Sequence, residues 1–416
     1  MGWIALGCWT VLWFVVLAPG GGIAWHFFVT GSRLLFSGPY GRYYHGAGGL
    51  HLYANYAWLQ IGPLALAVAA VLRRLGPDQG LVPAQLVMTG MGLIALQAIR
   101  DVARTARPGL AGGSAQRWTF LAGGAIFMIA WVELAVAYGH LDDALALLLA
   151  VLALQAAVHG HPALTGIAVG LAADAKPWAL IFLPVLLLAG GLPSWRSPVR
   201  AARPVRASLG PWAWAAGCAA AVIAAGWLPF FLADPATVNA LHYTIVNLPD
   251  SALRALGVRS ARTPSWDRSA QVGIGCVLGA LAIWRGRWPA VILLGVGARI
   301  ALDPAAHGYY TAGVLAGALI WDLTGARRPL PSWTLLSFCA LSIVPLATAD
   351  PAVRGSVRLA LVVAFTLAAL LGPSRWYWGP EAERPGPAEP AEPAGPAGPQ
   401  ATTGSPPRHT RSGLSP

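Results

Sequence analysis

Apolar residues follow one another along this chain in blocks of roughly the length that a helix needs to cross a lipid bilayer. Such a helix needs about 20 mostly apolar residues, because it rises about 1.5 Å per residue through roughly 30 Å of hydrocarbon. The pattern predicts an all-α integral membrane protein, a polytopic helical bundle of roughly ten to thirteen membrane segments, some of them re-entrant. The candidate windows cover residues 3–19, 52–72, 79–99, 118–138, 143–158, 163–175, 177–191, 210–231, 269–284, 288–302, 308–323, 331–347 and 356–372.

The pattern changes after residue 372, where proline, alanine and glycine replace the apolar blocks. The run PGPAEPAEPAGPAGP is typical of this last stretch. A segment of that composition cannot bury enough apolar surface to form a packed core. The sequence therefore predicts two parts, a polytopic transmembrane domain over residues 1–372 and a disordered cytoplasmic tail over residues 373–416.

The composition also favours a membrane protein. Hydrophobic residues make up 56% of the 416 positions and charged residues 11%, which is too apolar for a single soluble core. The net charge of +12 is expected of arginines beside anionic lipid headgroups, and no basic stripe with interleaved aromatics predicts a nucleic-acid partner. The four cysteines stand singly in apolar segments, so neither a disulfide framework nor a zinc site is expected. We expect a multi-pass protein of the cell membrane.

Short arginine-bearing loops indicate the cytoplasmic side of a membrane protein. The stretches 195–206, 284–287 and 326–329 carry such arginines and are predicted to be cytoplasmic. Residues 139–143 and Lys176 then lie near the outer face, together with the loops 232–268, 303–307 and 348–355.

The N-terminal half gives a conflicting signal. Arg73, Arg74 and the arginine-bearing loop 100–117 all have the cytoplasmic signature, yet a single apolar window separates them. Either one segment is re-entrant or one of these loops breaks the rule.

Ionisable side chains interrupt the apolar run WVELAVAYGHLDDALALLLA, residues 131–150. Charged groups at membrane depth are costly unless a partner, water or a ligand compensates them, so they are functional candidates. On a continuous helix Glu133 and His140 would share a face, whereas the adjacent Asp142 and Asp143 would point about 100° apart. This group could provide a proton-accepting carboxylate beside an imidazole that tunes it. The alternative is an outer loop whose aspartates only cap the next helix.

Lys176, the only lysine of the chain, lies in the apolar run GLAADAKPWALIFLPVLLL. Pro177 breaks the helix there, and broken helices at membrane depth are tolerated where they line a cavity. One interpretation is that Lys176 contacts an anionic group such as a phosphate. The other is that Lys176 and Asp174 simply neutralise each other.

The stretch 24–63 is predicted to be an outer loop rich in aromatic residues. It carries His26, Arg33 and Tyr53 but no acidic residue, and the first acid of the chain is Asp78. The aromatic residues could contact a substrate, or they could form only an interfacial belt.

Two further outer loops add candidates. Residues 232–268 carry four arginines against the positive-inside trend, as an anion-binding face would require. The stretch RIALDPAAHGYYTAGVL, residues 299–315, brings His307 and Tyr309 to a tight turn. The alternative for this turn is a purely structural Pro-Gly connection.

The order of these features resembles the bacterial polyprenol-phosphate-mannose-dependent mannosyltransferases, integral membrane enzymes of the C-type glycosyltransferase fold. The resemblance covers roughly residues 24–235 and rests on the Gly139–Asp143 stretch, on ALTGIAVGLAADAKPWALIFLP with Gly166, Gly170 and Lys176, and on a helix ending in WLPFF. It implies transfer of a sugar, a mannosyl group, from a polyprenyl-phosphate donor to a lipid or glycan acceptor on the outer face. The donor is a substrate, no cofactor and no metal-ligating residues are predicted, and the sequence leaves open whether the reaction requires a metal.

One departure from this family concerns the catalytic acid. The resemblance places an aspartate in the first outer loop, where this sequence reads Gly-Ile-Ala-Trp-His at residues 22–26. The base is then Asp142, Asp143 or His26, or the chain is a catalytically inactive relative. The resemblance and the ionisable groups together predict substrate contacts for Glu133, His140, Lys176, Arg33, Tyr53, His307 and Tyr309. A transporter or flippase with a relay of Glu133, His140 and Asp143 is the alternative function.

Overall fold

The structure, a computed structural model, describes residues 2–37, 46–108, 113–190, 209–325 and 330–372. Across these ranges the regular elements are helices, and the one extended pairing is an isolated antiparallel bridge between Val246 and Arg262. The all-α architecture expected from the sequence is therefore confirmed. The tail 373–416 and the arginine-bearing stretches 195–206 and 326–329 lie outside the described residues.

Sixteen α-helices follow one another within the described ranges. They are α1 (Gly2–Leu17), α2 (Trp25–Ser37), α3 (Leu52–Asn55), α4 (Pro63–Leu72), α5 (Pro77–Ala106), α6 (Ser114–Val132), α7 (Leu141–Val158), α8 (Pro162–Ala175), α9 (Leu209–Ala233), α10 (Ala252–Ala255), α11 (Asp267–Trp284), α12 (Val291–Leu302), α13 (Thr311–Gly325), α14 (Ser332–Phe338), α15 (Val344–Ala347) and α16 (Pro351–Leu371). Short 3₁₀ segments cover Gly49–His51, Pro177–Leu188, Pro235–His242, Trp288–Ala290 and Gly308–Tyr310, and π-helical turns cover Glu133–Tyr138 and Cys339–Ile343.

The lengths and compositions of these helices are those of a membrane protein. Within the described part of the chain, five helices are long and apolar enough to cross a membrane: Pro77–Ala106, Ser114–Tyr138, Leu141–Val158, Leu209–Ala233 and Pro351–Leu371. Six shorter apolar helices accompany them: Gly2–Leu17, Pro63–Leu72, Pro162–Ala175, Pro177–Leu188, Trp288–Leu302 and Ser332–Ala347. Large apolar side chains face outward, with Ile4, Leu232 and Trp284 72%, 76% and 80% exposed. Such an apolar exterior suits contact with lipid.

The core is formed by helices that approach closely through small residues. Gly166 and Gly170 lie four positions apart on one face of α8, which packs against α9. A Cβ at Gly166 would lie 2.1 Å from the carbonyl oxygen of Ala215, and one at Gly170 would lie 2.7 Å from Cβ of Val222. This is the close backbone approach that small residues four apart permit between membrane helices. Both glycines, which contribute to the family resemblance, therefore have a packing role.

The segment predicted over residues 52–72 is wrong as a single membrane span. Residues 56–62 are irregular, and α4 begins only at Pro63, so the helix has ten residues and is about 15 Å long. The buried Tyr53 hydroxyl donates a hydrogen bond to the carbonyl of Ile61 at 2.7 Å and holds this turn together. Within the predicted outer loop over residues 24–63, α2 covers Trp25–Ser37 and packs against α4.

One end of the bundle, which we call the site end, carries Tyr138 and Lys176. The first part of α5 lies at this end, because Gln85 donates to the carbonyl of Val136 at 3.0 Å. Arg73 and Arg74, just before α5, therefore lie at the site end, and the described residues 100–108 and 113–117 lie at the opposite end. The two groups of arginines thus lie at different ends of the bundle, so they cannot both be cytoplasmic, and one of the two arginine-bearing loops breaks the positive-inside rule.

Candidate functional site

The site begins at a break between two long apolar helices. The π turn Glu133–Tyr138 ends α6, and Gly139 adopts a left-handed backbone with φ of 67°. A residue with a Cβ would be strained at that φ, so glycine suits the position. The break means that Glu133 and His140 are not on one continuous helix, and the predicted shared face is wrong. His140 instead precedes α7, whose first turn carries Asp142 and Asp143.

Asp142 and Asp143 are buried to 0% and 2% exposure. Carboxylates in the first turn of a helix are stabilised by its dipole, but burial of two negative charges also requires nearby cations. Lys176 supplies one of them: its Nζ donates to Asp142 Oδ2 and lies 3.7 Å from Asp143 Oδ2. The predicted break at Pro177 is confirmed, since Lys176 is extended with φ of −153° between α8 and the 3₁₀ segment that Pro177 starts.

Arg299 supplies the second cation. Its Nη1 donates to Asp143 Oδ1 at 3.0 Å, and its Nε lies 3.5 Å from Asp303 Oδ2. Trp178 donates its indole N–H to the same Asp143 Oδ1 at 2.9 Å. The Arg299 guanidinium lies 4.0 Å from the ring of Trp178 and 4.3 Å from the ring of Tyr310. These contacts fix both the arginine and the Asp143 carboxylate.

Neither Arg299 nor Trp178 was expected as a site residue. Arg299 lies inside the apolar window 288–302, so the rule that identified Lys176 as an ionisable group at membrane depth also applies to it. Trp178 directly follows Pro177 in an apolar run, and no local pattern distinguishes it from a core tryptophan.

His140 caps the carboxylate pair. Its Nδ1 lies 3.4 Å from Asp142 Oδ1 and 3.4 Å from Asp143 Oδ2. Burial favours the neutral imidazole, but hydrogen bonds and negative charge from the two aspartates outweigh it and raise the pKa of His140 above 6.5. The ring stacks on Tyr309 with centroids 3.9 Å apart.

Tyr309 extends the aromatic surface toward His307. The two rings are stacked with centroids 5.3 Å apart and planes inclined by 10°. Burial lowers the pKa of His307 below 6.5. The structure therefore brings both predicted residues of this turn next to His140, with Tyr309 in direct contact.

Access to the buried carboxylates passes through two side chains. The side chains of His140 and Lys176 are 18% and 15% exposed, whereas those of Asp142 and Asp143 are 1% and 3% exposed. A ligand that approaches from the site end therefore meets an imidazole and an ammonium before it meets a carboxylate.

Glu133 lies beside this cluster and outside its ion pairs. Gly308 comes so close to Glu133 that a Cβ at Gly308 would lie 2.7 Å from Glu133 Oε1 and 3.2 Å from the hydroxyl of Tyr138. Tyr138 in turn lies against Tyr309, with ring centroids 5.2 Å apart. Glu133 is thus linked to His140 through aromatic side chains.

The candidates from the stretch 24–63 lie elsewhere. His26 has its Nδ1 2.9 Å from the carbonyl of Ile23, and it lines a cavity of about 250 Å³ together with Arg33 and Asp78. Tyr53 packs between Trp227 and Phe230 of α9, with ring centroids 4.9 and 4.8 Å away. Its ring and hydroxyl therefore both stabilise the fold. The predicted site residues His26, Arg33 and Tyr53 therefore do not contact the Asp142–Asp143 pair.

The donor atoms of His140, Asp142 and Asp143 lie within 4.8 Å of one another and could hold a metal ion. Lys176 and Arg299 already contact the two carboxylates, so a metal would compete with two fixed positive charges. Among the described residues the two carboxylates are held by these ion pairs, and Asp143 Oδ2 has only the approaches of His140 at 3.4 Å and Lys176 at 3.7 Å without a hydrogen bond.

No protein-family model and no curated protein matches the chain. Among solved structures the chain is similar to ArnT from Cupriavidus metallidurans in the apo state, with a TM-score of 0.43, 16% identity, and 91% of this chain and 78% of ArnT covered. It is also similar to the same protein bound to undecaprenyl phosphate, with a TM-score of 0.36, 15% identity, and coverage of 89% and 78%.

Proposed function

We propose that the chain is a membrane glycosyltransferase that moves a sugar, a mannosyl group, from a polyprenyl-phosphate donor to a hydroxyl of a lipid or glycan acceptor. The observation that supports this function best is the arrangement of Lys176 and His140 above two buried aspartates. It combines cations for a phosphate leaving group with a carboxylate for the acceptor proton.

The donor phosphate binds at the exposed tips of Lys176 and His140. The donor phosphate is a diester that leaves as a phosphate monoester, so its negative charge grows as the bond to the sugar breaks and cations that contact it lower the barrier. Lys176 is a point charge on a flexible stem, and it can turn from Asp142 toward the phosphate. The protonated imidazole of His140, favoured by its raised pKa, adds a second positive charge.

Asp142 is the base in this proposal. When Lys176 turns to the phosphate, Oδ2 of Asp142 loses its contact with the ammonium and can accept a hydrogen bond from the acceptor hydroxyl. The acceptor hydroxyl gives its proton to Asp142, its oxygen forms the new bond to the anomeric carbon, and the bond from that carbon to the phosphate oxygen breaks. The polyprenyl phosphate leaves with the electron pair of that bond.

Asp143 has a positioning role. Arg299 and Trp178 both donate to its Oδ1, and these contacts orient the carboxylate and occupy that oxygen. The other carboxylate oxygen of Asp143, Oδ2, lies close to both His140 and Lys176 and keeps these two side chains in position. The stacked rings of Tyr309 and His307 offer an aromatic wall beside the cations on which a sugar can pack.

The test is an incubation of the purified chain in lipid with radiolabelled polyprenyl-phosphate mannose and a lipid extract as acceptor. We expect label to leave the polyprenyl carrier, and we expect Asp142→Asn to lower kcat by about 100-fold or more. Asp101→Asn is the matched control, because Asp101 also pairs with a histidine, His159 at 2.6 Å, but lies toward the opposite end of α5. It should keep full activity.

Two results would contradict the proposal. If Asp142→Asn transfers label as fast as the control, Asp142 is not the base. If the wild-type chain moves labelled donor across a vesicle membrane and never releases the sugar, the transporter with a Glu133, His140 and Asp143 relay is the better description.

A further inference from the structure

A cavity of about 520 Å³ opens at the end of the bundle opposite to the site end. It lies where α1 starts, where α5 ends and where α6 starts. Its lining residues are Gly2, Trp3, Arg100, Ala103, Arg104, Gln116, Arg117, Phe120, Leu121 and Leu323.

The walls of this cavity are apolar and aromatic. The guanidinium of Arg100 lies 5.6 Å from the ring centroid of Trp3 and 5.1 Å from that of Phe120. Contacts of this kind hold a guanidinium in place and leave its N–H groups available for an anion. On the neighbouring face of α6, Trp118 is 65% exposed, as is typical of a tryptophan at a membrane interface.

The polar part of the cavity is strongly cationic. Arg100, Arg104 and Arg117 face it, and Arg100 is close enough to the other two for their charges to repel. Among the described residues, none of these three arginines forms an ion pair with a carboxylate. Asp101, which neighbours Arg100 in the sequence, instead accepts hydrogen bonds from Gln155 at 2.8 Å and His159 at 2.6 Å on the side of α7.

We propose that this cavity binds the headgroup phosphate of an anionic membrane phospholipid, of the phosphatidylglycerol class, with an acyl chain along the apolar wall. Three clustered cations without a carboxylate partner fit a phosphodiester, and Trp3, Phe120 and Leu121 fit hydrocarbon. The arginines of the loop 100–117 predict that this end is cytoplasmic, and cytoplasmic basic pockets between membrane helices are suited to anionic lipids. The site is independent of the proposed sugar transfer at the other end.

The test uses the full chain, purified in a neutral detergent and titrated with phosphatidylglycerol or phosphatidylcholine of the same acyl chains, with bound lipid counted by native mass spectrometry. Wild-type protein should bind phosphatidylglycerol more tightly than phosphatidylcholine. In Arg104→Gln/Arg117→Gln, binding of phosphatidylglycerol should weaken by about tenfold or more, because two cations near the phosphate are lost. Arg100 is left unchanged because it packs on Trp3 and Phe120.

The control variant is Arg74→Gln/Arg262→Gln, which removes two exposed charges at other places and should bind phosphatidylglycerol as the wild type does. Equal loss in both double variants, or equal binding of the two lipids to the wild type, would overturn the proposal. Displacement of the lipid by an equimolar concentration of inorganic phosphate would also overturn it, since the site would then take a free anion. If the double variant does not fold, Arg117→Gln alone, an exposed first-turn change, gives the same comparison with Arg74→Gln.

Discussion

Lys176 donates to Asp142 on a different helix, although Asp174 lies only two positions before it in the sequence. The extended backbone of Lys176 directs its side chain to α7, whereas Asp174 packs where α8 meets Gly226 of α9. Asp174 Oδ1 is buried without a hydrogen-bond partner among the described residues. The interpretation in which these two charges neutralise each other is therefore wrong, and Lys176 belongs to the Asp142–Asp143 cluster.

Replacement of Lys176 by methionine should affect both stability and donor binding. The change leaves the buried Asp142 without its lysine, and the removal of one partner from a buried ion pair costs roughly 3–5 kcal/mol of unfolding free energy. In the proposed function the donor KM should also rise by about tenfold or more, because a direct phosphate contact is lost. Both are measured on purified protein, by thermal unfolding and by steady-state transfer.

Lys176→Arg is the matched variant, because it keeps the positive charge. It should keep most of the stability but only part of the activity, since the planar guanidinium does not reproduce the ammonium geometry. A Lys176→Met protein that folds normally and shows an unchanged donor KM would mean that Lys176 does not contact the donor.

Asp143 and Arg299 should be energetically coupled. Asp143→Asn leaves Arg299 with only the longer contact to Asp303, and Arg299→Gln leaves Asp143 with one cation fewer, so each single change should destabilise by roughly 3–5 kcal/mol. The double variant should be less destabilised than the sum of the two, by about 0.5–3 kcal/mol. Unfolding midpoints of the four proteins give this coupling energy, and simple additivity would mean that the ion pair contributes nothing.

The stability of the site should depend on pH through His140. The folded state binds the imidazole proton more tightly than the unfolded chain, whose histidine has a pKa near 6.5. The contribution of His140 to stability is therefore complete below pH 6.5 and is lost as the pH rises from there through the higher folded pKa. Thermal unfolding across this range should show the loss in wild-type protein and not in His140→Gln.

His307 should give the stability of the protein a pH dependence opposite to that of His140. Burial lowers its pKa, so its contribution to stability is present above pH 6.5 and is lost as the pH falls through the lower folded value. The variant His307→Gln should therefore remove the decline on the acid side and leave the decline on the alkaline side. If both declines persist in the two variants, other groups carry the pH dependence.

The sequence identified much of this cluster because charge at membrane depth is rare and costly. That argument applies to Asp142, Asp143, His140 and Lys176, and the structure brings these four side chains together. Their mutual contacts could not be predicted, since the pairing of Lys176 with Asp142 depends on how α7 and α8 pack.

The candidates from the stretch 24–63 were predicted less well than those of the cluster. Tyr53 was a candidate because it is aromatic and polar, yet its hydroxyl closes a local turn and its ring packs against α9. Nothing local to the sequence distinguishes a tyrosine that binds a sugar from one that holds a turn. His26 was proposed as a substitute for a missing acid, but α2 directs its neighbour Phe28, and not His26 itself, toward His140.

Gly62 should be essential to the position of Lys176. Its backbone N–H donates to the carbonyl of Ala175 at 3.0 Å, and a Cβ there would lie 1.9 Å from the carbonyl oxygen of Asp174. Because the obstructing atoms are backbone, Gly62→Ala cannot be relieved by a side-chain rotation, and it should destabilise by about 1–3 kcal/mol or more. The variant should also reduce sugar transfer. The end of α8 can accommodate the new Cβ only if its backbone shifts, and that shift would displace Lys176.

Gly90→Ala is the matched control for this change. Gly90 lies inside α5 with no atom within 4 Å of its added Cβ, so alanine should stabilise the helix by up to about 1 kcal/mol and leave activity unchanged. Thermal unfolding and transfer assays on the two variants measure both effects. A Gly62→Ala protein with wild-type stability and activity would mean that the contact between the α4 entry and the end of α8 does not fix the position of Lys176.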